Sequence, residues 1–181
     1  AEALVAADAL DDSLVAPLEV HVHLLREAAA TAGDLRSFLR LRRQLGPCPF
    51  LDRDGACAMY LARPLTCRAL LATRESSWCS ADFSQLTAEQ KERFIAGLDR
   101  EVVAFPMHYL AEPQEAARSR EEELARSGRR RFGFSLYGSF PFMVWLERKE
   151  RLSALFAEGD GRVAGHLVQR GLMDGLLLSM Q

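Results

Sequence analysis

Cys48, Cys57, Cys67 and Cys79 are the residues of this sequence with the most distinctive chemistry. They are its only four cysteines in 181 residues, and gaps of 8, 9 and 11 residues separate them. No cysteine occurs in the first 47 or the last 102 positions. Thiolates are soft ligands that suit zinc and iron–sulfur chemistry. A secreted disulfide scaffold is short, poor in core and dense in cysteine throughout, and this chain is none of these. A cluster of thiols inside a chain able to form a core points to metal or redox chemistry. The readings set against it are buried thiols without a ligand, or two disulfides. The spacing contains neither the tight C-x2-C pair of zinc ribbons nor the run of bacterial ferredoxins. Two metal readings stand side by side. A tetrahedral zinc ion would act as a structural staple, and a [4Fe–4S] cluster would serve redox sensing or electron transfer. Four thiolates around a divalent ion leave surplus negative charge. Arg53, Arg63, Arg68 and Arg74 lie close enough in sequence to offset it from the surroundings of the ligands.

The elements that must position these thiols are mostly helical. Leu14, Leu18, Val22 and Leu25 recur every three to four residues, with Pro17 near the start, where proline is tolerated. A second helix is expected from Asp34, with Leu35, Phe38, Leu39 and Leu41 on its buried side. Arg36, Arg40, Arg42 and Arg43 fall on its outer side, and Gly46-Pro47 ends it. From Cys48 to Ser80 the helical period disappears. Phe50-Leu51, the Asp52-to-Gly55 turn and Ala56 to Leu61 read as a short hairpin that puts Cys48 and Cys57 on neighbouring arms. Arg63 precedes a proline and so avoids the helical region. Thr66 then caps a short helix from Cys67 through Leu71, where free N–H groups favour a thiolate.

Helix resumes at a capping box made by Thr87 and Gln90. Phe94, Ile95, Leu98, Val102 and Phe105 carry it on to Pro106. A charged helix is expected from Pro113 to near Gly128, then a loop from Arg129 to Phe140, then helices over 141–157 and 162–180. The expected fold is all-α: a small helical domain with an irregular cysteine-rich loop and one short β-hairpin. As one domain over 1–181 it comprises N-terminal helices at 1–46, the cysteine loop at 47–80 and C-terminal helices at 81–181.

Three blocks around the thiols also carry a resemblance. Cys48-Pro49-Phe50-Leu51, then Gly55-Ala56-Cys57-Ala58-Met59-Tyr60, then Arg63-Pro64-Leu65-Thr66-Cys67-Arg68 together resemble the YkgJ-like cysteine-cluster family. That family is described as a zinc- or iron-chelating domain. The resemblance covers the 21 residues from Cys48 to Arg68. It implies Cys48, Cys57 and Cys67 as ligands, with Tyr60, Arg63, Pro64 and Arg68 as framework. Cys79 completes the set by count. Family members commonly carry a further cysteine group upstream, and here no cysteine precedes Cys48. The chain also opens without Met, which reads as a processed or trimmed start. A related cysteine-cluster protein acts as a flagellin lysine methylase, so the resemblance also admits an iron–sulfur enzyme that modifies a partner protein.

Other features are weaker. His21 and His23 lie about 200° apart on a helix, which makes a poor chelate. His108 and His166 read as surface or half-buried residues. Arg129-Arg130-Arg131 ahead of Phe132, Phe134 and Tyr137 suggests cations for phosphate and rings for stacking. Glu121-Glu122-Glu123 just upstream and a formal net charge of −2 argue against nucleic acid and favour a solvated helix end. The aromatic set of this segment, with Phe140, Phe142 and Trp145, is an alternative protein-partner patch. Phosphate-cradling loops and a nucleophile elbow are missing, so no catalytic residue is assigned. No run approaches the roughly 20 apolar residues of a membrane span, and the start lacks the basic stretch of a secretory signal. The sequence therefore reads as a cytoplasmic metal-binding protein without a membrane or nucleic-acid partner.

Overall fold

The computed structural model describes every residue except Ala1, Ser76, Asp82 and Ala157, and for Cys79, Ser80 and Asp160 it describes the backbone only. The chain is mostly helical, with one two-stranded sheet. The helices are α1 (Glu2–Asp8), α2 (Val15–Thr31), α3 (Leu35–Arg43), α4 (Leu65–Ala69), α5 (Ser77–Ser80), α6 (Ala88–Ala96), α7 (Ala111–Phe132), α8 (Phe140–Glu150), α9 (Leu152–Phe156) and α10 (Asp160–Gln169). The strands are β1 (Leu136–Gly138) and β2 (Leu178–Met180). Among the described residues no helix is long and apolar enough to cross a membrane. The chain divides into two compact units, one formed by 1–64 with 124–181 and the other by 65–123.

The first unit holds the larger core. Leu18, Val22 and Leu25 of α2 are buried at the spacing that one helix face requires. They pack with α1 against α8, whose Phe142, Val144 and Leu146 are buried in turn. Val163 and Leu167 of α10 complete the apolar centre. Burying each such side chain stabilises the fold by about 1.5–3 kcal/mol. Asp34 caps α3, its side chain accepting the N–H of Ser37 at 2.7 Å. Phe38 is the buried residue of that helix, whereas Leu35 and Leu39 are 59% and 40% exposed. The apolar face expected for α3 is thus narrower than the leucines suggest. Leu41 packs against the same core and is partly buried.

The C-terminal expectation also changes. The helix over 141–157 is broken at Arg151, which adopts the left-handed conformation at φ 49°. The one expected over 162–180 ends at Gln169, and its last residues form β2. β2 pairs antiparallel with β1 in the register Leu136↔Met180, Tyr137↔Ser179 and Gly138↔Leu178. Gly138 permits this approach, because a Cβ there would lie 2.2 Å from the Leu177 carbonyl oxygen.

The second unit is small. Thr87 and Gln90 form the expected capping box at the start of α6. The helix then stops at Ala96, not at Pro106, because Gly97 receives the C-cap and the chain turns away. Phe94, Leu98 and Val103 form its core, with Trp78, Phe83 and Ile95 packed against it. The bridges Ala72↔Tyr109 and Val103↔Leu110 close the loops around that core. α7 begins in this unit and runs through Gly128 to Phe132, so Arg129, Arg130 and Arg131 lie on a helix and not in a loop. Its charged surface is laced by exposed pairs such as Arg118–Glu115 at 2.6 Å and Arg120–Glu123 at 2.8 Å.

Candidate metal centre

The hairpin at the cysteines forms as one bridged turn and not as two strands. Leu51 pairs with Cys57 across an antiparallel bridge. Asp52 N–H donates to the Ala56 carbonyl at 2.9 Å, and Ala58 N–H donates to the Phe50 carbonyl at 2.8 Å. The Asp52 side chain closes the tip by accepting the N–H groups of Asp54 and Ala56, each at 2.9 Å. Gly55 sits at φ 78°, a conformation that favours glycine. Leu51 N–H also returns to the Cys48 carbonyl at 3.1 Å, which folds the Cys48-Pro49-Phe50-Leu51 block into a tight turn of its own. Cys48 therefore stands beside the arm that pairs with Cys57.

Phe50 anchors this arrangement. It is 2% exposed, belongs to the large core, and meets the Phe140 ring edge-on at 5.8 Å. Cys57 is half-buried against the same core, and Cys48 is exposed. Packing around its sulfur pushes the Cys48 thiol up, and Cys57 adds to this; the Phe50 backbone N–H and the positive Arg42 act in the opposite direction. The net direction is upward, which favours the neutral thiol when no metal is bound. A cation would reverse that balance.

Cys67 belongs to the second unit. It is exposed, within α4. That helix begins at Leu65, before the expected start, so Thr66 is part of it and Leu70 and Leu71 fall beyond it. Cys79 has its backbone in α5, but its side chain lies outside the described residues. None of Cys48, Cys57 and Cys67 is in a disulfide. Among the described residues no group of three or more His, Cys, Asp or Glu side chains converges as a metal shell. The donors are soft by chemistry, and Cys48 and Cys57 share one bridged turn.

The charges around the thiols differ from expectation. Arg42 is the cation whose charge acts on Cys48. Expected on the outer side of α3, it is instead set by helix phase between Phe38 and Leu35, apart from Arg36, Arg40 and Arg43. Arg63 stacks over the Tyr60 ring at 3.9 Å, in the extended conformation its following proline requires. Arg74 donates to the Phe94 carbonyl at 3.4 Å in the second unit. The only sequence signal for Arg42 is its place six residues before Cys48 at the end of a short helix.

The histidines also separate. His21 is half-buried and its pKa is lowered by that burial and by Arg42, while His23 reaches Glu27 at 3.3 Å on the exposed side. His108 is 4% exposed, not surface or half-buried as expected, stacked on Tyr109 at 4.4 Å and edge-on to Phe94 at 5.7 Å. His166 lies on α10 and meets Glu150 at 2.8 Å. No family model, no curated protein and no solved structure matches the chain.

Proposed function

We propose that this chain is a cysteine-based metal-binding protein that holds zinc or iron in a structural or redox role. The observation that carries the proposal is the segment from Cys48 to Cys57, folded as a turn that the Leu51↔Cys57 bridge closes, Asp52 braces and Phe50 anchors. Both soft donors lie on one ordered turn before any metal arrives, so less ordering has to accompany binding. Cys67 and Cys79 are the further thiolates that the sequence offers. Their recruitment makes metal binding part of the folding free energy. When bound, the metal supplies either a cross-link, as zinc does, or an electron-transfer centre, as a [4Fe–4S] cluster does.

Elemental analysis and an absorption spectrum of anaerobically purified protein test the reading. The expected result is zinc or iron at about one site per chain, lost in Cys48→Ser and Cys57→Ser and weakened in Cys67→Ser and Cys79→Ser. Metal-free wild-type protein that takes up neither ion on titration, with all four thiols free, would overturn it. A visible absorption band distinguishes the cluster from zinc. Iron–sulfur chemistry on a partner protein is the enzymatic form of the same proposal and needs that band.

A further inference from the structure

Two exposed surfaces of this chain are complementary in charge. The first is the outer face of α3. Leu35 and Leu39, one turn apart, stand 59% and 40% exposed, and Arg36, Arg40, Arg42 and Arg43 are exposed around them. At 100° per residue Leu35 and Leu39 form one ridge, with Arg42 on one flank and Arg43, Arg36 and Arg40 on the other. This is an apolar ridge fenced by cations.

The second surface is an open groove of about 740 Å³ in the second unit. Ala69 and Leu70 beside α4, Ala104, and Ala111 and Ala117 of α7 give it an apolar lining. Glu112, Glu115 and Glu121 stand along α7 on the same groove, and among the described residues Arg118, paired with Glu115, is the lining cation. Leu70 is 49% exposed in this setting. The small alanines leave room for another molecule's side chains, and the glutamates give the rim a negative balance.

We infer that the groove receives the α3 ridge of a second copy of this chain, leucines inward and Arg36 and Arg40 toward Glu112 on the rim. Charge complementarity carries the choice of occupant: each surface is unsuited to itself and suited to the other. The interface is head-to-tail, since the two surfaces are different patches of one chain. A helix of 9 residues covers a modest area, so the association is weak and salt-sensitive.

Sedimentation equilibrium of the full chain, with its metal content held fixed, tests the inference. At low salt the weight-average mass is expected to rise above the 20.2 kDa of one chain with increasing concentration, and to fall back in high salt. A ridge variant, Leu39→Asp with Arg40→Glu, and a groove variant, Leu70→Lys with Glu112→Lys, are each expected to stay single. All four positions are exposed, and circular dichroism checks that the fold is kept. Leu35→Asp and Glu115→Gln serve as second variants. Mixed in equal amounts, the ridge and groove variants each retain one intact surface, so they are expected to form a pair that grows no further. A wild-type chain that stays single at every concentration would overturn the inference, as would variants that self-associate like wild type or a mixture that does not pair.

Discussion

Replacing Phe50 is the sharpest test of how the thiol turn is held. The side chain is 2% exposed and its ring meets Phe140 edge-on at 5.8 Å. Removing a buried aromatic to leave alanine costs about 3–5 kcal/mol, the upper end applying where the site cannot collapse. Of this, the ring pair contributes about 0.5–1.5 kcal/mol beyond area burial. Phe50→Leu keeps most of the apolar volume and is expected to lose mainly the ring pair. Phe50→Ala is expected to lose the full amount and to release the Cys48 turn from the core. The chain has two tryptophans, and Trp145 stacks on Phe142 in the same core as Phe50, whereas Trp78 belongs to the other unit. Urea unfolding followed by Trp145 emission in a Trp78→Phe background therefore reads the relevant core. A double-mutant cycle with Phe140→Leu isolates the ring pair. Metal titration of the same variants gives the second readout: affinity falls in the order wild type, Phe50→Leu, Phe50→Ala, because less of the population presents both thiols together. An unchanged unfolding midpoint in Phe50→Ala, or full metal affinity despite a large loss of stability, would refute the role given to Phe50.

Three further predictions concern other parts of the fold. Glu150, whose side chain is 9% exposed, accepts from Arg170 at 3.1 Å and meets His166 at 2.8 Å; burial raises its pKa, but these two partners outweigh it and the net shift is downward. Its contribution is therefore complete above the ordinary carboxylate range and is lost as pH falls through the lowered folded value. Glu150→Gln should cost about 1–3 kcal/mol at neutral pH and flatten the acid limb of a stability–pH curve, and identical acid limbs for the two proteins would count against this. Gly138→Ala drives a methyl into the Leu177 carbonyl and should cost about 1–3 kcal/mol through strain, with β2 amides exchanging faster in deuterium-exchange measurements. Phe94→Ala empties the centre of the smaller core, where Phe94 contacts Trp78 at 4.8 Å. It should cost about 3–5 kcal/mol and shift Trp78 emission to the red, with Trp145 as the internal control.

Local chemistry made several elements legible in the sequence. The Leu18, Val22 and Leu25 period, the helix start near Asp34 and the Thr87–Gln90 box depend on residues within one or two turns of each other, and each forms as expected. The Asp52–Gly55 turn is equally local: an acceptor side chain and a glycine at positive φ are sufficient to reverse the chain there. The same turn carries Cys48 and Cys57 at its two ends, with Leu51 bridged to Cys57. The segments that diverged depend on distant partners. Residues 178–180 have a helical pattern but pair with β1, a partner some 40 residues earlier that the sequence does not advertise. Helix α6 stops at Gly97 because Leu98 and Val103 are needed in a core with Phe94.

By itself the sequence determined that four clustered thiols sit in a helical chain with soft-metal chemistry, and that a turn joins the first two. Tertiary structure decided which cation faces Cys48, that Phe50 ties the turn to the core, and that Cys67 stands on a different unit. It also left Leu35 and Leu39 exposed among arginines. Thiol chemistry and turn geometry are properties of residues and near neighbours. Burial and electrostatic pairing belong to groups brought together only when remote segments pack.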